Sequence, residues 1–414
     1  MPPSQTIVNM PAGREREGLP GPQQCRSRGG RCSPPARHIR TNSMTQHYLR
    51  SAAYRDFSIH SIYGMSDDEI HGMFARLRWG SDSHQACPAC GARAKHYRWP
   101  ARQQWRCKEC GRDFSVTSAT AFSSRKKSLR SILLATFYYV TGVKGLAGLG
   151  LTRMGDYSNK AAHVTLGKLR EAIFRTQDFT PLTGVVEIDG GYFGGKPRKP
   201  NRRGRRNNQA IVDRIAGRPA KRPWHASGMT RTNWEKRKNK RVVMIFRQQG
   251  RPGEGAVRSI AAVAKSENDK DAANLIARYV SPDAIIMTDE SPAYATVSAT
   301  NTHFAVKHSE EYVTADGVNE NQAESFFSRL RRWEYGVSHG VRTTYLADYA
   351  NEMVWREDVR RCSIRTQVEL LLEKALTVGH SRWWRGYYQG KRRGAEILMN
   401  QDIPPSSASG ASAQ

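Results

Sequence analysis

Four cysteines in one short window constrain this chain more than any other feature: Cys87-x2-Cys90-x16-Cys107-x2-Cys110. Two Cys-x2-Cys turns at this distance match the spacing of four-thiolate zinc sites. Gly91 and Gly111 directly follow the second cysteine of each pair, where the chain needs a positive φ to curl its amides toward sulfur. Four thiolates close a tetrahedral shell with no open position, so a zinc held here is structural. It is expected to supply stability that about thirty residues cannot draw from a core of their own. Arg93, Lys95, His96, Arg98, Arg102, Arg106, Lys108 and Arg112 are interleaved with Tyr97, Trp99 and Trp105 in the same window. Basic residues with aromatics suit nucleic acid, and a protein-interaction knob is the other reading. Cys25, Cys32 and Cys362 have no partners at metal spacing and read as incidental. This cysteine usage indicates metal binding in a reducing compartment and not a disulfide framework, which places the chain in the cytoplasm.

Charge narrows the partner. The 414 residues carry 66 Lys+Arg against 37 Asp+Glu, a formal net charge of +29. An imbalance of that size captures polyanions, with nucleic acid the leading partner and acidic membrane surface the second. No run approaches the roughly 18 to 20 apolar residues of a membrane-spanning helix, and the first residues lack the pattern of a secretory signal.

The charge is uneven along the chain. Residues 1–43 are rich in Pro, Gly, Ser and Arg without apolar periodicity and are expected to be a disordered basic tail, with Met44 a candidate translation start. Residues 44–124 hold an N-terminal helix and the cysteine window. Ser66 to Glu69 has the form of a capping box ahead of Ile70, Met73, Phe74 and Leu77 at helical spacing. Residues 125–180 read as two helices around a Gly-containing turn, compatible with a helix-turn-helix whose second member carries Lys160, His163, Lys168 and Arg170. Plain helix packing is the competing reading. Residues 181–361 alternate strands and helices, which predicts an α/β domain, a mixed sheet flanked by helices. Within it, residues 196–241 hold 17 Lys or Arg against Asp213 and Glu235, so they are expected to be a solvent-exposed basic insertion. Residues 362–414 read as a C-terminal extension, partly disordered.

Two apolar runs end in carboxylates: Asp189 in VVEIDGGYFGG and Asp289 in IIMTDESPAY. A carboxylate at a strand end is held by the sheet yet open to solvent, and two such groups together repel unless a cation intervenes, which is how a magnesium site is built. Glu324 lies on a predicted helix whose apolar face is Phe326, Phe327 and Leu330. Taken singly, each acid is also readable as a turn, cap or helix-start residue.

Taken together, these motifs resemble the bacterial insertion-sequence transposases that pair an N-terminal zinc ribbon with an ISXO2-like DDE catalytic domain of ribonuclease-H-like fold. The resemblance runs from about Met44 to Arg361 and rests on CPACG, CKECGRDFSVTSAT, EIDGGYFGG, TDESPAY, HSEEYV, NENQAESFFSRLRR and WREDVRR in that order. It implies that Asp189, Asp289 and Glu324 form a DDE triad holding two magnesium ions, with Arg331 at the Lys/Arg position seven residues past the Glu and Asn321 at a polar position beside it. It further implies cleavage and joining of double-stranded DNA at element ends and target, a homo-oligomer of at least two chains, and a bacterial, nucleoid-associated location. His308 falls in a His-Ser pair that recurs in the family, its role open. A zinc-ribbon regulator whose acids are ornamental, binding DNA without cleaving it, and a ribonuclease-H-like nuclease that shares the metals but does not join strands are the alternatives.

Overall fold

The computed structural model describes residues 48–194, 216–217, 240–251, 255–306 and 321–400. The tail, nearly all of the basic insertion, His308 and the last residues lie outside these ranges. No described helix is long and apolar enough to cross a membrane.

Local signals set the N-terminal elements. Helix α1 (Ile59–Gly64) and helix α2 (Asp67–Trp79) each begin in a capping box. At α2 the Ser66 hydroxyl accepts from the Glu69 N–H at 3.2 Å, while the Glu69 carboxylate accepts from the Ser66 N–H at 2.6 Å, as the sequence predicts. The cysteine window follows as a two-stranded pair, β1 (Gln85–Ala86) with β2 (Arg93–Ala94), and an antiparallel meander of β3 (Tyr97–Trp99), β4 (Gln104–Arg106) and β5 (Asp113–Ser115).

The period of two along these short strands decides their faces. Trp105 and Phe114 pair across β4 and β5 and turn inward, stacking at 5.8 Å, and Trp105 also stacks on His71 of α2 at 4.8 Å. Two expectations change here. Trp105 is only 4% exposed, so it belongs to the core and not to a nucleic-acid face. The meander also shares one apolar cluster with α2 and the helices that follow, so metal binding is not its sole source of stability.

Helices α3 (Leu129–Thr141), α4 (Gly148–Met154) and α5 (Asn159–Arg175) build the next layer. α5 does not have the free face of a DNA-reading helix. Ten of its residues are buried, Arg170 among them, His163 and Lys168 are half-buried, and only Lys160 of its four basic positions named above is exposed. Arg170 pairs with Glu352 at 2.6 Å, and His163 lies edge-on to Trp384 at 5.0 Å. Plain packing therefore describes the pair better than groove recognition.

The α/β half has five strands in the order β10-β9-β6-β7-β8. Strands β6 (Val185–Gly194), β7 (Lys240–Gln249) and β8 (Ala256–Ala264) form an antiparallel meander. Helix α6 (Asp269–Tyr279) then carries the chain across to β9 (Ile285–Asp289), parallel to β6, and β10 (Thr302–Val306) adds parallel to β9. Tyr279 of α6 meets Phe246 on one face of the sheet at 5.8 Å. Helix α7 (Asn321–Trp333) and helix α8 (Leu346–Asp358) take the other face: Phe327 stacks on Phe193 at 5.7 Å, and Asn351 donates to the Ala261 carbonyl at 3.4 Å.

From residue 362 to 400, the described part of the extension expected to be partly disordered, the chain packs against the rest. Ser363 caps helix α9 (Ile364–Thr377), whose Val368, Leu371, Leu372, Ala375 and Leu376 are buried with α3 and α5. Further on, the Met399 N–H donates to the Val263 carbonyl at 2.8 Å, and Arg241 pairs with Glu396 at 2.9 Å. A buried charge network ties the two halves together. Glu352 on α8 accepts from Arg170 and Arg356, and Arg356 also donates to the Tyr139, Val140 and Gly142 carbonyls at the end of α3. Burial alone would raise the Glu352 carboxyl, but the two guanidiniums hold it below its ordinary value.

Candidate active site and metal centre

The four cysteines converge. Cys87 Sγ stands 3.7 Å from Cys110 Sγ and Cys90 Sγ 3.6 Å from Cys107 Sγ, and all four sulfurs lie within 4.8 Å of one another. A tetrahedron with metal–sulfur bonds of ~2.3 Å has edges of about 3.8 Å, so the donor set fits zinc in number, softness and size. Both turns close alike. The Gly91 N–H donates to the Cys87 carbonyl at 2.9 Å and the Gly111 N–H to the Cys107 carbonyl at 3.1 Å, with φ of 77° and 68° at the two glycines. The outer face of the meander exposes Tyr97 and Trp99, with the Lys108 ammonium 5.3 Å from the Tyr97 ring centre. His96 is buried against Phe114, and Arg98 is paired with Asp68 at 2.7 Å, so neither is free on that face.

The second cluster lies where the parallel pairing of β6 with β9 ends. Val185, Val186 and Glu187 pair with Ile285, Ile286 and Met287, and the same offset sets Asp189 level with Asp289 on one face of the sheet. Asp189 Oδ1 accepts from the Gly190 N–H at 2.6 Å, and Asp289 Oδ1 from the Ser291 N–H at 3.0 Å. Burial pushes the Asp189 carboxyl up to about 7; the Gly190 N–H opposes this, Asp289 and Glu267 add to it, and Arg331 pulls the other way.

Glu267 is an acid that the sequence reading passed over. It follows β8 in a turn with no motif of its own, yet it reaches the same strand end. A Cβ on Gly190 would stand 2.2 Å from Glu267 Oε1, so the carboxylate lies directly over the glycine and a side chain there would displace it. The Tyr294 hydroxyl donates to Glu267 Oε1 at 3.1 Å, and the Glu267 N–H donates to the Tyr192 hydroxyl at 3.1 Å. Burial raises the Glu267 carboxyl despite the Tyr294 bond, and Asp289 raises it further.

Glu187 is the second missed acid. Two residues before Asp189 and on the same face, it is buried, and its Oε2 accepts from the Gln322 and Ala323 N–H groups at 3.0 and 3.2 Å. These are unpaired donors of the first turn of α7, so a strand carboxylate takes the part of a cap. Gln249 holds the other oxygen at 2.7 Å. Four residues past Asp189, Phe193 stacks on Phe327, and the Arg331 guanidinium stands 6.0 Å from the Phe193 ring centre. Contacts on both sides of Asp189 therefore pin α7 along β6.

Glu324 sits one turn before Phe327 on the stripe that contains Arg331, between these two points of attachment, and is exposed. The structure sets Asp289, Glu267 and Arg331 near enough to act on the Asp189 carboxyl, without closing the acids into a ligand shell. It does not close Glu324 on them: among the described residues, the cysteines are the one group of three or more candidate ligands that converges within 4.8 Å. Asn321 opens α7, and its side chain lies outside the described residues.

Comparison with known proteins finds a family match over the stretch that holds each cluster. A family model described as an ISXO2-like transposase domain matches residues 181–358, and one described as a transposase zinc-ribbon domain matches residues 65–113. The chain is 25% identical over 318 residues to an uncharacterized protein in transposable element ISH50 of Halobacterium salinarum, covering 75% of this chain and 98% of that one. No solved structure matches.

Proposed function

We propose that this chain, which belongs to the insertion-sequence transposases joining a zinc ribbon to an ISXO2-like transposase domain, cuts and joins DNA where strand β6 parts from its parallel partner β9. The observation that carries the reading is the parallel register of β6 on β9, Glu187 beside Met287, which two residues further on sets Asp189 level with Asp289. A three-strand antiparallel meander followed by two parallel strands, in the order β10-β9-β6-β7-β8, supports a ribonuclease-H-like fold for this half. Its sites lie outside the carboxyl ends of the parallel strands, where ligands bind in open α/β sheets.

Asp189 and Asp289 would hold magnesium, with Glu324 as the third ligand supplied by α7 and Asn321 beside it. Their hard, all-oxygen donors fit that ion, and burial of Asp189, with Asp289 and Glu267 adding to it, favours a bound cation if the carboxylate is to be charged. When bound, two magnesium ions supply activation of an attacking oxygen and stabilisation of a leaving one. The chain's own groups do the rest. Asp189 gives up its proton to become a ligand, Glu187 fixes the angle at which α7 presents Glu324, and Arg331 draws a phosphate toward the aspartates. Water attacks first to free a 3′-OH, which then attacks target DNA in the same site. Zinc in the four-cysteine centre is structural, and the ribbon's outer face grips DNA through Tyr97, Trp99, Arg106 and Lys108. Joining two element ends requires at least a dimer.

The test is a strand-transfer assay with magnesium and a duplex taken from the DNA flanking the gene. Asp189→Asn, Asp289→Asn and Glu324→Gln are each expected to abolish cleavage and joining while DNA binding survives. Joining by any of them at the wild-type rate removes that residue from the site. Cleavage without joining by the unaltered chain would make it a nuclease, and binding without cleavage a regulator.

A further inference from the structure

We propose that a basin beside the paired aspartates, lined by Lys144, Ser328, Arg331, Arg332, Tyr335 and Gly336, holds an unpaired stretch of the DNA strand leading to the cleaved phosphodiester, with a phosphate against its cations and a base on the Tyr335 ring. The proposal rests on the cutting-site reading above and extends it to how the strand is held.

Two distant segments build this basin. Gly145, at φ 89°, approaches Trp333 so closely that a Cβ would stand 2.6 Å from the indole Cδ1, which fixes Lys144 beside the last turn of α7. Ser328, Arg331, Arg332 and Tyr335 recur along α7 at the three- and four-residue spacing of a single helical face. Beyond Trp333 the helix widens into a π-helical turn, Glu334–Ser338, of the kind often found at functional sites. Tyr335 stands 70% exposed on it, with its ring available for stacking. The Gly194 N–H donates to Glu334 Oε1 at 3.0 Å, tying that turn to the strand that carries Asp189.

Its chemistry selects the occupant. Three cations and an aromatic ring line the basin, and no carboxylate does. Its volume of about 530 Å³ suits a nucleotide better than a whole duplex. Arg331 belongs both to the basin and to the field felt by Asp189, so a phosphate here lies on the path to the aspartates. A strand of unpaired nucleotides offers the charge and the flat apolar face that such a surface takes, independently of base sequence.

The experiment compares a blunt DNA hairpin with one bearing a short 3′ thymidine tail that contains 2-aminopurine, binding the full-length protein without divalent metal. The wild-type protein is expected to bind the tailed hairpin about tenfold more tightly and to quench the probe. Tyr335→Ala should lose both effects while Tyr335→Phe retains them, and Lys144→Ala and Arg332→Ala should each flatten the dependence of log affinity on log salt by about 0.7. Equal binding of the two hairpins by wild type, or an undiminished quench with Tyr335→Ala, overturns the proposal. Asp189→Asn separates it from the cutting-site reading. That variant should keep the tail preference and lose magnesium-dependent cleavage, whereas cleavage by it contradicts the aspartate assignment whatever the tail does.

Discussion

The ribbon and the acidic strand end solve one problem, the gathering of like-charged ligands, by opposite means. Each half of the ribbon centre is a closed local turn, so four sulfurs meet through backbone bonds inside two short segments. The acids come from β6, β9, the turn after β8 and α7, and only sheet register and a strand carboxylate capping a helix bring them near one another. A site built locally contributes to folding. One assembled across the fold holds its charges against burial and mutual repulsion, and both push the Asp189 carboxyl up. Damage to the ribbon should therefore destabilise the protein, while removal of an acid at the strand end should relax it.

The largest effect is expected at the ribbon. Cys87→Ser should release zinc and lower unfolding free energy by about 5 kcal/mol, read by denaturant titration with metal analysis. Unchanged stability would make the buried meander self-sufficient. Next comes the network joining the halves: Glu352→Gln should cost about 3–5 kcal/mol. Since the folded Glu352 carboxyl lies below its unfolded value, its contribution is present above roughly pH 4.3 and lost as pH falls through the lower folded value. The wild type and the variant should therefore converge in stability in acid.

Smaller effects sharpen the contrast. Glu187→Ala strips the cap from α7 and should cost about 1–2 kcal/mol, with faster hydrogen exchange at Gln322 and Ala323 and slower cleavage. Asp189→Asn should do the reverse. The folded carboxyl titrates near 7 and the unfolded one near 4, so its charge destabilises the metal-free fold as pH rises between those values. The variant is expected to gain on the order of 1–2 kcal/mol at pH 8 and nothing at pH 4, read from melting curves without divalent metal. A loss at pH 8 would show that Asp189 is structural.

Legibility follows the same division. Everything local could be read from sequence: the cysteine turns, the Ser66 and Glu69 capping box, and the strand ending in Asp289, whereas β6 runs past Asp189 to Gly194. Alternation carried more than was taken from it. Glu187 shares a face with Asp189, and Trp105 lies opposite Phe114, so period two already separated core from surface at both places. Likewise, Val368, Leu371, Leu372 and Ala375 fall at helical spacing behind Ser363, but the family motifs stop before them. Glu267 had no such signal, because only the chain's return past Gly190 makes it a neighbour of the aspartates. The burial of α5 was equally hidden, since Arg170 reads as surface charge until Glu352 is seen opposite it.

One measurement bears most directly on the paired aspartates as the cutting site: the time course of magnesium-dependent cleavage of a labelled element-end duplex by wild type and by Asp289→Asn, at matched DNA occupancy. Loss of cleavage by on the order of a thousandfold or more, with DNA affinity unchanged, is the predicted result. Cleavage by the variant at the wild-type rate would contradict it.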